Sequence, residues 1–297
     1  MKRKDCLAAL LMCAAAGAVR FWDLAANSEV GTGFVTLGSV WVRYGVLALL
    51  VAGVFVLARV CGTKTEQGSL PVPAPLVFAL ISAVALCVGV MLLNAAVREF
   101  VMPTTSFGGV QNGAGMRTLA FLLRLMCGVG FVLFCVWCLA LCLRKAPLSP
   151  QRGAARTLGF CVMPAFLVLP VLRYAENPAS VHRILYILPF CSALGALVFV
   201  IKLLGILCAP LTPERRSSTA AAGVCAFLLC TCIELPQRVW QLTGLGATAL
   251  SLWTSVLLGL VGVLGAATAL AVSEKQDKSK QRPPTGAKQG RRNEAKQ

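Results

Sequence analysis

The sequence predicts an all-α, polytopic transmembrane helical bundle of about eight spans, and three observations carry that prediction. Apolar stretches of 14 to 28 residues recur eight times, in a chain that is 58% hydrophobic and only 13% charged. A soluble domain would carry about 25% charged residues. Lys and Arg collect in every second gap between the stretches, as expected when cationic segments resist translocation. Rings of Trp22, Trp41, Tyr44, Tyr174, Tyr186 and Trp240 fall at the opposite helix ends, where amphipathic aromatics settle at a membrane boundary. The longest gap is about 20 residues, too short for a separate soluble domain.

Each span follows from its flanks. Lys2, Arg3 and Lys4 hold the N-terminus in the cytoplasm, and the first span (6–22) leaves at Arg20-Phe21-Trp22. The second (40–60) returns to Lys64. The third (75–97) exits at Arg98-Glu99, and the fourth (119–143) ends at Arg144-Lys145. Arg152 and Arg156 precede the fifth (157–172), which carries Pro164 and Pro170 and ends at Arg173. The sixth (184–204) brings Lys202 to the inner headgroups. Arg215 and Arg216 precede the seventh (217–235), and the eighth (245–272) delivers the tail. Both termini are then cytoplasmic, in a plasma membrane that the compact loops and absent glycosylation sequons mark as bacterial. Met1–Ala18 also has the outline of a signal peptide. It lacks a polar segment before a cleavage point, and Arg20-Phe21-Trp22 reads as an interfacial stop, so the span is expected to stay.

The tail, 273–297, contains eight Lys or Arg and no apolar periodicity. It is expected to be disordered and attracted to anionic lipids, with a cytoplasmic or membrane protein as a further partner. The net charge of +17 is distributed by topology, not as a basic face interleaved with aromatics, which excludes nucleic acid as a partner.

The spans can be read as four two-helix hairpins, since Arg20, Arg98, Arg173 and Arg238 each close an outgoing helix. Loose duplication and independent interfacial anchoring both account for this. The uncharged cores of spans one, five and seven are about 14 to 16 residues, roughly 21 to 24 Å of helix. Short or Pro-interrupted spans mark substrate sites in some transporters; membrane thinning is the plainer account.

The candidate site is an outer polar cluster of Arg20, Arg98, Glu99, Arg173, Glu234 and Arg238. If the outgoing helices gather, these groups ring a vestibule for a small anion or zwitterion, with Trp22 and Trp240 stacking nearby. Otherwise they anchor separately to headgroups. Arg124 lies one turn below that interface, within snorkelling reach. On the fourth span, Cys127, Cys135, Cys138 and Cys142 share one stripe at 100° per residue. They are weak candidates for a soft metal, because one helix cannot close a tetrahedral shell. Cys225, Cys230 and Cys232 would have to approach, and small packing residues are the expected role. No metal or cofactor is expected.

No Cys falls in an outer loop, which argues against structural disulfides. The Gly-rich segment Ser106–Met116 lacks the Gly-Lys-Ser/Thr ending of a phosphate loop and reads as a connector. Gly259, Gly262, Gly265 and Ala266 permit a close helix contact, internal or between copies. His182 is the only histidine, and no metalloprotease motif, carboxylate pair or nucleophile elbow accompanies it. Catalysis is therefore not expected. A non-catalytic membrane component acting through partners is the favoured function, with a small-solute permease using the outer Arg/Glu groups as the alternative.

Overall fold

The computed structural model describes residues 3–28, 36–60, 75–101, 114–143, 154–176, 184–208, 212–242 and 248–281. In hydrocarbon every backbone N–H and C=O needs a partner within the protein, which restricts apolar spans of this kind to helices. The described elements are accordingly helical: α1 (Arg3–Asn27), α2 (Val40–Val60), α3 (Pro75–Val101), α4 (Ala114–Leu143), α5 (Ala154–Glu176) and α6 (Ile184–Cys208). The seventh span runs through α7 (Pro213–Ala226), a π-helical stretch (Phe227–Glu234) and α8 (Leu235–Leu242); α9 (Ala249–Gln281) follows. Seven of these helices are long and apolar enough to cross a membrane, and α2 is a shorter apolar helix beside them.

Local chemistry sets several ends. Thr212 caps α7, its side chain accepting from Arg215 N, with Pro213 placed where a helix needs no N–H. Thr248 Oγ1 accepts from Ser251 N at 3.2 Å and opens α9. The helices outrun the uncharged cores: α1 has 25 residues and α5 has 23. At their far ends Arg20 and Arg173 are paired with carboxylates inside the protein. α9 continues past Val272 to Gln281, nine residues into the tail. The rest of the tail, the Ser106–Gly113 part of the Gly-rich segment and His182 lie outside the described residues.

Two packed regions hold the bundle together. Phe78, Phe131, Phe134, Trp137, Phe166 and Phe199 fill the space among α3 to α6. There Phe131 and Phe134 meet Phe166 edge-on at 5.6 and 5.1 Å, the arrangement aromatic quadrupoles favour. The second region joins α1 and α2 to the seventh span through small side chains, among them Cys6, Cys13, Ala220 and Ala221. Between lipid-immersed helices, close packing rather than exclusion of water supplies the attraction. Gly223 and Gly265 bring α7 and α9 to backbone contact; a Cβ on either would stand 2.5 Å from the other's carbonyl oxygen. Gly259 faces Leu235 and Gly262 faces Thr231 and Ala226, so this glycine row is an internal seam.

Helices α3 and α4 pack side by side, as do α5 and α6, and α7 and α9. α1 and α2 instead pack mainly on the seventh span and join each other through a polar cluster at one end. Cys6 of α1 lies beside Ser273 of α9, so the start of the first helix and the far part of the last lie at one end of the bundle. The opposite end is called the far face below.

Candidate functional site

The deepest charges form one network near the far face. Arg173 stands in the last turn of α5, where the Cα–Cβ bond leans back toward the helix N-terminus. Its side chain is directed into the bundle, as its bonds show. There Nη1 donates to Glu234 Oε1 at 2.7 Å and to the Pro189 carbonyl at 2.8 Å. Glu234 is fully buried and Arg173 is 8% exposed. Counting back from Leu242, Glu234 lies eight residues, about 12 Å, below the far end of the seventh span.

Two hydroxyls complete the carboxylate. Ser192 of α6 donates to Glu234 Oε2, and Ser255 of α9 donates to Oε1. Each hydroxyl has a single proton, and the carboxylate is its strongest acceptor within reach. Their oxygens are left to accept: Ser192 from Arg173 Nη1 at 3.3 Å, Ser255 from Arg238 Nε at 3.1 Å. Arg238 also donates to Gln241 Oε1 at 2.8 Å. Three spans are thus tied by one chain of bonds running from Arg238 through Ser255 and Glu234 to Arg173, and Ser192 brings in α6 as a fourth.

The π-helical stretch positions the acid. Its i→i+5 winding inserts about one extra residue, which rotates everything downstream by roughly 100° relative to an α-helix. Thr231 Oγ1 donates to the Gly259 carbonyl at 2.7 Å, and Cys230 Sγ to the Ser192 carbonyl at 3.2 Å. These bonds fasten the widened turn to α9 and α6.

The six outer charges do not gather in one vestibule. Arg173, Glu234 and Arg238 share the buried network. Arg20 belongs to a separate group on α1 and α2, pairing with Asp23 at 2.8 Å, while Arg43 grips the same carboxylate at 2.7 Å. Arg98 is exposed on α3, and the side chain of Glu99 lies outside the described residues. Trp22 is exposed, whereas Trp240 is buried against Leu24. A groove of about 570 Å³ between α1 and the seventh span is apolar, lined by Ala14, Gly17, Ala18, Phe227 and Val239 among others, with none of the charged groups in its wall.

The cysteine stripe serves several contacts. Cys127 Sγ donates to the Ala165 carbonyl on α5, Cys142 Sγ to the Pro75 carbonyl on α3, and Cys135 lies against Ser82 of α3. Cys138 is buried. Among the described residues no group of three or more His, Cys, Asp or Glu could hold a metal ion.

Sequence reasoning missed Ser192, Ser255, Asp23 and Arg43. Hydroxyls are common in apolar helices and carry no signal alone. Asp23 could have been found, since it lies three residues after Arg20, one helical turn on.

The fold and its lipid-facing apolar surface define a multi-pass, all-helical membrane protein. Comparison with known proteins adds no family: no protein-family model, no curated protein and no solved structure matches the chain.

Proposed function

We propose that this chain is a non-catalytic, multi-pass component of the plasma membrane, with both termini cytoplasmic, acting as a rigid scaffold for a protein partner. One observation supports the reading above others: the charges of the Arg173–Glu234 network are closed on one another. Glu234 already accepts from Arg173, Ser192 and Ser255. A solute entering there would have to break a buried ion pair, at about 3–5 kcal/mol. The basic tail is the part proposed to meet anionic lipid and the partner, since eight Lys or Arg collect there.

A small-solute permease is the second reading. It is favoured by an intramembrane Arg–Glu pair beside a π-helical turn and between the Pro-containing helices α5 and α6. The two separate experimentally. The full-length protein is excised from its native membrane in polymer discs and sized, while purified protein in proteoliposomes is tested for currents on adding zwitterionic or anionic solutes. A stoichiometric partner, lost on deleting residues 273–297, and no current are expected. A solute-induced current abolished by Glu234→Gln would overturn the scaffold reading.

A further inference from the structure

The charge group shared by α1 and α2 is distinct from the Arg173 network and is not closed. Asp23 accepts from Arg20 Nη1 at 2.8 Å, from Arg43 Nε at 2.9 Å and Nη2 at 2.7 Å, and from Asn27 Nδ2 at 3.0 Å. Those four bonds use the acceptor capacity of a carboxylate. Arg43 Nη2 also reaches the Leu37 carbonyl at 2.9 Å. Among the described residues, three guanidinium nitrogens then remain without an acceptor: Arg20 Nε, Arg20 Nη2 and Arg43 Nη1. Two of the described cations share one anion, so these three side chains carry a net charge of about +1.

Its surroundings fit a headgroup region. Trp22 and Trp41 are 68% and 67% exposed beside it in sequence, and Tyr44 packs edge-on against Trp41. Such rings settle at the level of lipid headgroups. Gly38, with φ of +85°, lets the chain before α2 turn beside Arg43, whose Nη1 lies 3.6 Å from the point a Cβ would occupy. The Arg20 and Arg43 side chains are 12% and 14% exposed, which places the spare donors just below the surface.

We propose that Arg20 and Arg43, clamped by Asp23, form a phosphate-binding site at the far face. Guanidinium forks match the oxygens of a phosphate in pairs, and a monoanion neutralises the excess charge. The Asp23 clamp holds both guanidinium groups in place and leaves Arg20 Nε and Nη2 and Arg43 Nη1 to donate to a phosphate. The phosphate belongs either to a lipid headgroup or to a soluble anion, and the test separates them.

Native mass spectrometry of the full-length protein, with dioleoyl phosphatidylglycerol and with dioleoylglycerol, reads the phosphate contribution at constant acyl chains. The wild type is expected to favour the phospholipid by about tenfold or more. Arg20→Gln with Arg43→Gln should remove that preference, Arg43→Lys should reduce it while keeping the Asp23 pair, and exposed Arg98→Gln should leave it unchanged. Inorganic phosphate that displaces the phospholipid identifies a soluble anion as the ligand; a phospholipid adduct that persists identifies the headgroup. Equal binding of the two lipids by the wild type, with no binding of inorganic phosphate, overturns the site. So does full phospholipid preference in Arg43→Lys together with the double variant, or in Arg43→Lys alone if the double variant does not fold.

Discussion

Arg173 and Glu234 are 61 residues apart in the sequence and 2.7 Å apart in the bundle, both shielded from the surface. Removing one partner leaves a buried charge with nothing to balance it. Glu234→Ala is therefore expected to lower stability by about 3–5 kcal/mol, read as chemical unfolding in detergent micelles. Replacing both partners by Leu removes the charges together and should recover most of that loss. A double variant as unstable as Glu234→Ala would show that the hydroxyl and carbonyl partners, not the ion pair, dominate the site.

The π-helical turn carries a smaller, separable contribution. Thr231→Val keeps the shape of the side chain and deletes its 2.7 Å bond to the Gly259 carbonyl. A loss of about 1 kcal/mol is expected, again by unfolding in micelles. Hydrogen exchange at Gly262 and Gly265 should rise with it, since that bond fastens the turn to α9.

The bundle was legible because its cause is one-dimensional: apolar length sets the spans. The site was legible only in part. Arg173, Glu234 and Arg238 stood out as charges at helix ends, yet sequence position alone placed them at headgroups. The face each residue presents decided otherwise: Arg173 meets Glu234 inside the bundle, whereas Arg98, equally in the last turn of its helix, is exposed. Glu234 was obscured further by the π-helical stretch, which breaks the 100° phase on which face assignments rest. The Arg20 group was half-read for a different reason. Its partner Arg43 sits on another helix, 20 residues from Asp23, and no pattern within either helix announces the contact.

The proposed orientation makes a direct prediction. A green fluorescent protein fused after Gln297 is expected to fluoresce, and alkaline phosphatase at the same point should stay inactive. The basis is the concentration of Lys and Arg in the gaps on that side. Phosphatase activity with loss of fluorescence would invert the topology and place the Arg20 group toward the cytoplasm, while leaving the internal packing untouched.

Packing of the last two spans gives the most exacting test of the fold. Gly223 and Gly265 approach so closely that a Cβ on either meets the opposite carbonyl at 2.5 Å, below any contact that real side chains make. The obstacle is backbone, which cannot rotate aside as a side chain would. Gly265→Leu must therefore push α7 and α9 apart. That separation loosens the Gly259 and Gly262 contacts along the same seam and strains the Ser255–Glu234 bond above it. A loss of at least 1–3 kcal/mol is expected, in the range of overpacked cores, with early aggregation on heating in detergent. Gly53→Leu on α2 is the control, since a Cβ there meets nothing within 4 Å. It should stay within about 0.5 kcal/mol of the wild type. If both variants unfold alike, the contact between α7 and α9 is not the seam described here, and the placement of Glu234 against Ser255 falls with it.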